Sequence, residues 1–167
     1  MMRREFGDGQ GERFHPTLRG CVAKDVRMAR ALEGCYLRAL YEVSAQSYRS
    51  ILCEQSDRRL AELFEELAQA ALVRFRMLGE MIAALGGNPA IRVGLRIEPY
   101  AIFEDPCEEG EREADRMLRD SIREKKREID RMQSLLGKAQ DRVLRAALAS
   151  MISQEQEYAE RLGEALI

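Results

Sequence analysis

GGNPAIRVGLRIEPYAIFEDPCE, residues 86–108, is the stretch whose reading decides the fold. It opens on Gly86, Gly87, Asn88 and Pro89, which are strong helix-stop signals. It then runs on without any helical repeat, interrupted by Gly94, Pro99 and Pro106. The alternation Ile91, Val93, Leu95, Ile97 is compatible with a short extended stretch. Tyr100, Ile102 and Phe103 are apolar enough to pack along the outside of a helical body. At about 3.3 Å per residue, some twenty residues can span more than the length of a long helix.

On the N-terminal side of this stretch the periodicity is helical twice. A first helix is expected from about Val22 to Gln55, with Ala29, Leu32, Tyr36, Ala39, Val43, Ile51 and Leu52 as its apolar stripe. Ser56 and Asp57 are candidate N-caps for a second helix, about Asp57 to Leu85. Its stripe is Leu60, Leu63, Phe64, Leu67, Ala71, Leu78, Met81, Ile82 and Leu85. On the other side a third helix is expected from about Glu109 to Leu136 and a fourth from about Asp141 to Leu166. Short joints make helices one and two, and three and four, antiparallel hairpins. The long joint can run the about 42 Å of a 28-residue helix. The expected fold is therefore all-α, a four-helix bundle of two antiparallel hairpins joined by one long crossover. An up-down-up-down bundle would not need so long a linker.

Composition bounds what such a bundle can do. The 167 residues suit one domain, taken as 21–167, behind an N-terminal tail of residues 1–20 read as flexible. Apolar residues at 46% suffice for a full core, and 34% charged residues fit helices with solvated outer faces. Lys plus Arg number 27 against 29 Asp plus Glu; a net charge of −2 gives no general attraction to nucleic acid or acidic membranes. No stretch approaches a membrane span, and Met1–Gly20 lacks the apolar region of a secretory signal, so the cytoplasm is the expected location. Cys21, Cys35, Cys53 and Cys107 form no CxxC pair and are expected as reduced, part-buried thiols. His15, in the tail, is the single histidine, which argues against zinc.

Three blocks carry a resemblance. They are Leu60-Ala-Glu-Leu-Phe-Glu-Glu-Leu-Ala68, Met77-Leu-Gly-Glu-Met-Ile-Ala-Ala-Leu-Gly-Gly-Asn-Pro89 and Gln154-Glu-Gln-Glu-Tyr-Ala-Glu-Arg-Leu162. In these the chain resembles the ferritin-like superfamily, nearest its small rubrerythrin-type and spore-coat-type members, over about Val22 to Ile167. The resemblance implies a dinuclear metal site. Two helices each supply one Glu, and the other two each supply a Glu-x-x-His pair on one face. Carried over, those slots fall at Ala39 in helix one, with Glu33 or Glu42 as alternatives after a short shift. They fall at Ala71 and Arg74 in helix two, Lys125 in helix three, and Glu155 and Tyr158 in helix four. Glu155 is the one clear family carboxylate.

The stripes lead to the same residues without the family. Lys125 lies between Ile122 and Ile129, Arg74 between Ala71 and Leu78, and Glu155 and Tyr158 between Met151 and Leu162. A charge on an apolar stripe either snorkels to water or is buried and paired. The expectation is that Arg74 and Lys125 stand where two cations would, with Glu155 as counter-ion and a Tyr158 hydroxyl beside them.

Other features read as ordinary helix chemistry. Arg123–Arg127 is a mixed charge run, expected as a solvated face, and the methionines at helical spacing are core filler. Tyr36, Tyr41 and Tyr48 are expected in packing or edge roles. No phosphate loop and no Ser/His/Asp or Cys/His set is present. The expected function is a structural or partner-binding protein with no cofactor and no catalytic residue. One alternative is an iron or manganese oxidase or peroxidase of the rubrerythrin type; the other is a small-ligand binder using the bundle interior. A homodimer is expected, because Tyr36, Leu37, Leu40 and Tyr41 give helix one more apolar surface than one stripe needs.

Overall fold

A computed structural model describes residues 22–90 and 112–166. It contains four α-helices: α1, Val26–Cys53; α2, Arg58–Ala84; α3, Glu113–Lys138; and α4, Arg142–Ala165. The tail of residues 1–20, the alternation at Ile91 to Ile97, the apolar Tyr100, Ile102 and Phe103, Cys21 and Cys107 all lie outside the described residues. No helix among the described residues is long and apolar enough to cross a membrane.

The helix starts follow their caps. The Asp25 carboxylate accepts from the backbone N–H groups of Arg27 and Met28 at 3.1 and 3.0 Å, so α1 begins at Val26 rather than Val22. Asp57 caps α2 through Leu60 N–H, and Asp141 caps α4 through Val143 and Leu144 N–H. At the far end of α2, Gly86 takes a φ of 87°, a backbone conformation that suits glycine. A β-carbon on Gly87 would lie 2.8 Å from the Ala29 methyl and 2.9 Å from Ile82 Cγ2. The Gly86-Gly87 stop thus also lets the end of α2 press against the start of α1.

Contacts along the helices fix their directions. Asp25 N–H bonds Leu85 C=O at one end of the α1–α2 pair, and Ser50 Oγ bonds Ala61 C=O at the other, so the two are antiparallel. Between α1 and α3, Arg49 meets Ser121 while Glu42 meets Lys125, again antiparallel. Between α2 and α4, Glu66 meets Arg161 and Arg74 meets Glu155. Both α2 and α3 therefore oppose α1, and they run parallel to each other. The C-terminus of α2 and the N-terminus of α3 lie at opposite ends of the helices. Each 26- or 27-residue helix is about 40 Å long.

The core is divided in two. At one end Leu32, Leu78, Met81, Ile82, Met132 and Leu148 form an apolar cluster joined by all four helices. At the other, Phe64, Leu67, Leu118 and Leu162 form a second, closed by Cys53 and Met117. Between them lies a buried polar layer of Glu42, Gln46, Arg49, Arg74, Ser121, Lys125, Glu128 and Glu155. Every helix contributes to it.

This layer changes the reading of α1. Ala29, Leu32, Tyr36 and Ala39 face the core as the stripe requires. Beyond Ala39 the buried positions become Glu42, Ala45, Gln46, Arg49 and Cys53. Ile51, expected on the stripe, is 67% exposed, and Leu52 is exposed with it. The inward face keeps its geometric course while its chemistry turns polar. Following the apolar residues therefore leads off that face.

Candidate functional site

The layer centres on four charges, one from each helix: Glu42 on α1, Arg74 on α2, Lys125 on α3 and Glu155 on α4. Each is nearly or wholly buried; Glu155 is 0% and Lys125 1% exposed. Arg74 bridges the two acids, with Nη1 on Glu155 Oε1 and Nη2 on Glu42 Oε2. Lys125 Nζ bridges the same two, donating to Glu155 Oε2 at 2.8 Å and pairing with Glu42 Oε1. The result is a closed ring in which acid and base alternate.

Electrostatics follow from this ring. Burial alone would push the Glu42 carboxyl up, but Arg74 and then Lys125 outweigh it and hold Glu42 below the ordinary carboxylate value. Burial likewise works against the charged form of Arg74, and Glu42, Glu155 and Glu128 reverse it, so the guanidinium stays charged. A second polar set flanks the ring. Arg49 donates to Ser121 Oγ and makes a two-pronged contact with Glu124, all at 2.9 Å. Burial raises the Cys35 thiol well above its usual value, with Glu128 adding to the effect, so Cys35 is a protonated core thiol. Cys35 and Cys53 are both free and buried.

Each residue named from the sequence has a definite place. Arg74, Lys125 and Glu155 come together in the ring. Ala39 and Ala71 are fully buried apolar residues and bring no polar side chain. The helix-one carboxylate is Glu42, three residues past Ala39; Glu33 instead lines a surface pocket with Arg30, Tyr36 and Asn88. Tyr158 presents its ring, not its hydroxyl, to Lys125: Nζ lies 5.6 Å from the ring centroid, and Arg161 lies 5.4 Å from it. Gln46, Arg49, Ser121, Glu124 and Glu128 escaped the sequence reading. Their signal was spacing: Ser121, Lys125 and Glu128 continue the inward face of α3 between Leu118 and Met132.

A dinuclear metal centre does not fit these residues. The helix-two slot at Ala71 supplies no donor atom, and none of the four helices contains a histidine. The two carboxylates that could ligate are already bridged by Arg74 and Lys125, whose charges would repel a metal ion.

No protein-family model matches the chain, and no curated protein is detectably similar to it.

Proposed function

We propose that this is a ferritin-like protein in which an ion-pair ring stands where the family's two metal ions would be, and that it works as a structural or partner-binding protein rather than an oxidase. The observation that carries this reading is that two cationic side chains each bridge the same two buried carboxylates. The parallel run of α2 and α3 supports it, since this is the arrangement that one long crossover between two hairpins produces. The filled layer also argues against a ligand in the bundle interior, because charged side chains occupy its centre.

Protein grown with added iron or manganese should carry no stoichiometric transition metal by elemental analysis. Two metal ions per chain, lost on Glu155→Gln, would overturn the reading and restore the oxidase.

The same proposal takes the protein to be a homodimer through α1. Tyr36 is not available for this, because it is buried and stacked on Phe75 with ring centroids 4.4 Å apart. The outward face of α1 nevertheless carries a row of apolar residues at helical spacing. Leu37 is half-buried, and Tyr48, Ile51 and Leu52 are exposed, while Tyr41 turns its hydroxyl inward between α1 and α3. Light scattering at high micromolar concentration should report two chains, and Ile51→Glu should yield a monomer. A monomeric wild type ends this part of the proposal.

A further inference from the structure

Glu128 stands apart from the ring. It is a third buried carboxylate, 5% exposed, and no nitrogen or oxygen donor hydrogen-bonds either of its oxygens, the Cys35 thiol being the one weak donor beside it. The charges around it come from every helix. They are Arg38, Tyr41 and Glu42 on α1, with the Cys35 thiol; Arg74 on α2; Glu155 on α4; and Glu124, Lys125 and Arg131 on its own helix. The nearest cation on that helix, Arg131, is 3.7 Å from Oε2, beyond hydrogen-bond reach. Arg74 and Lys125 are already matched by Glu42 and Glu155, so an ionised Glu128 would have only the more exposed Arg131 and Arg38 beside it and no buried cation of its own.

Beside it is a pocket of about 20 Å³ between α1 and α3, partly open to solvent and lined by Arg38, Tyr41, Glu42, Glu124 and Glu128. That volume holds one water molecule. Glu42, whose Oε1 pairs with Lys125, lines the same space. The two Glu128 oxygens therefore sit beside one water-sized space whose other polar lining is Arg38, Tyr41, Glu42 and Glu124.

We propose that the layer is a binding site for one proton and one water: Glu128 is held as the neutral acid, and the water in this cavity accepts from its hydroxyl and donates to Glu42. The proton removes a buried charge that has no close hydrogen-bonded counter-ion. Burial acts in the same direction and raises the Glu128 carboxyl. Arg74 and Cys35 oppose it, Glu42 and Glu155 reinforce it, and the net shift is upward. A carboxyl raised in the folded state stabilises the fold as pH falls toward its unfolded value. That contribution is lost as pH rises through the folded value. Glu42, held down, has the opposite dependence.

The test uses the full chain with carbon-13 at the glutamate side-chain carboxyls, followed by NMR from mildly acidic to alkaline pH. One carboxyl should remain in the neutral form well above the pH at which the others ionise, and that signal should vanish in Glu128→Gln. The variant should also unfold later than the wild type on the alkaline side. If every carboxyl ionises in the ordinary range, or the neutral signal survives in Glu128→Gln, the proposal fails. If the variant does not fold, the wild-type spectrum alone decides, since the absence of any late-ionising carboxyl is enough to refute it. A crystal structure with this cavity dry would remove the water.

Discussion

Glu155→Gln should lower the stability of the protein by about 3–5 kcal/mol, the cost of leaving a buried charge without its partner. Glu155 is 0% exposed, and its two oxygens are divided between Arg74 and Lys125. The amide keeps the shape and removes the charge, which leaves two cations to share Glu42. For a domain held together by about 5–15 kcal/mol this is a large fraction. It corresponds to a fall of about 10 °C in unfolding midpoint at this chain length. Replacing Glu42, Arg74, Lys125 and Glu155 together by Leu or Met should cost less than the single change, because no charge is left behind. Thermal unfolding of the two variants separates pairing from burial. A change below about 0.5 kcal/mol for Glu155→Gln, typical of surface positions, would mean that the ring is not buried in solution.

Arg74→Met is the mirror experiment, with a different pH signature. Methionine keeps most of the apolar stem, so the loss is chiefly the guanidinium. Glu42 and Glu155 then share Lys125 alone, and destabilisation of about 3–5 kcal/mol is expected at neutral pH. In the wild type, Glu42 is held below its ordinary value of 4.5, chiefly by Arg74. Its contribution is present above that value and disappears as pH falls through the lower folded one. In the variant that contribution is already reduced, and protonating a carboxylate relieves the excess negative charge. The stabilities of wild type and variant should therefore converge toward acid, measured as denaturant midpoints across a pH series. A gap that stays constant with pH would mean that Arg74 acts by packing rather than by charge.

The helices were legible because period and caps agree. Asp57 and the Gly86-Gly87 stop mark boundaries that hydrogen bonds and a positive φ then explain. The inward cations were legible for a related reason: Arg74 and Lys125 each interrupt an otherwise apolar stripe. Their helix-one partner was harder to place. The inward face of α1 beyond Ala39 is Glu42, Gln46 and Arg49, and in sequence that run looks like a solvated face. Ile51 and Leu52, which look like core, lie outside. Hydrophobic periodicity reports burial only where the interior is apolar, and here the interior is polar across the middle of four helices. Glu128 was illegible for another reason. Its character comes from Cys35, Glu42, Arg74 and Glu155, which lie on three other helices and meet only when the bundle closes.

The alternation of sign around the ring also bears on how hairpins can be set against one another. The α1–α2 hairpin carries Glu42 and Arg74, and the α3–α4 hairpin carries Lys125 and Glu155, so each half brings one acid and one base. In the native pairing α1 lies against α3 and α2 against α4, and both contacts match opposite charges. Two copies of the same hairpin brought together about a two-fold axis perpendicular to the helices would set Glu42 against Glu42 and Arg74 against Arg74. Two α3–α4 hairpins would do the same with Lys125 and Glu155. Both mispairings bury like charges at the position where the correct pairing buries a satisfied set, a difference worth several kcal/mol. Apolar surfaces at either end of the bundle would accept a wrong partner almost as readily as the right one. The alternation of sign thus disfavours this one arrangement of identical hairpins, whereas a two-fold axis parallel to the helices would set Glu42 against Arg74 and keep acid and base alternating.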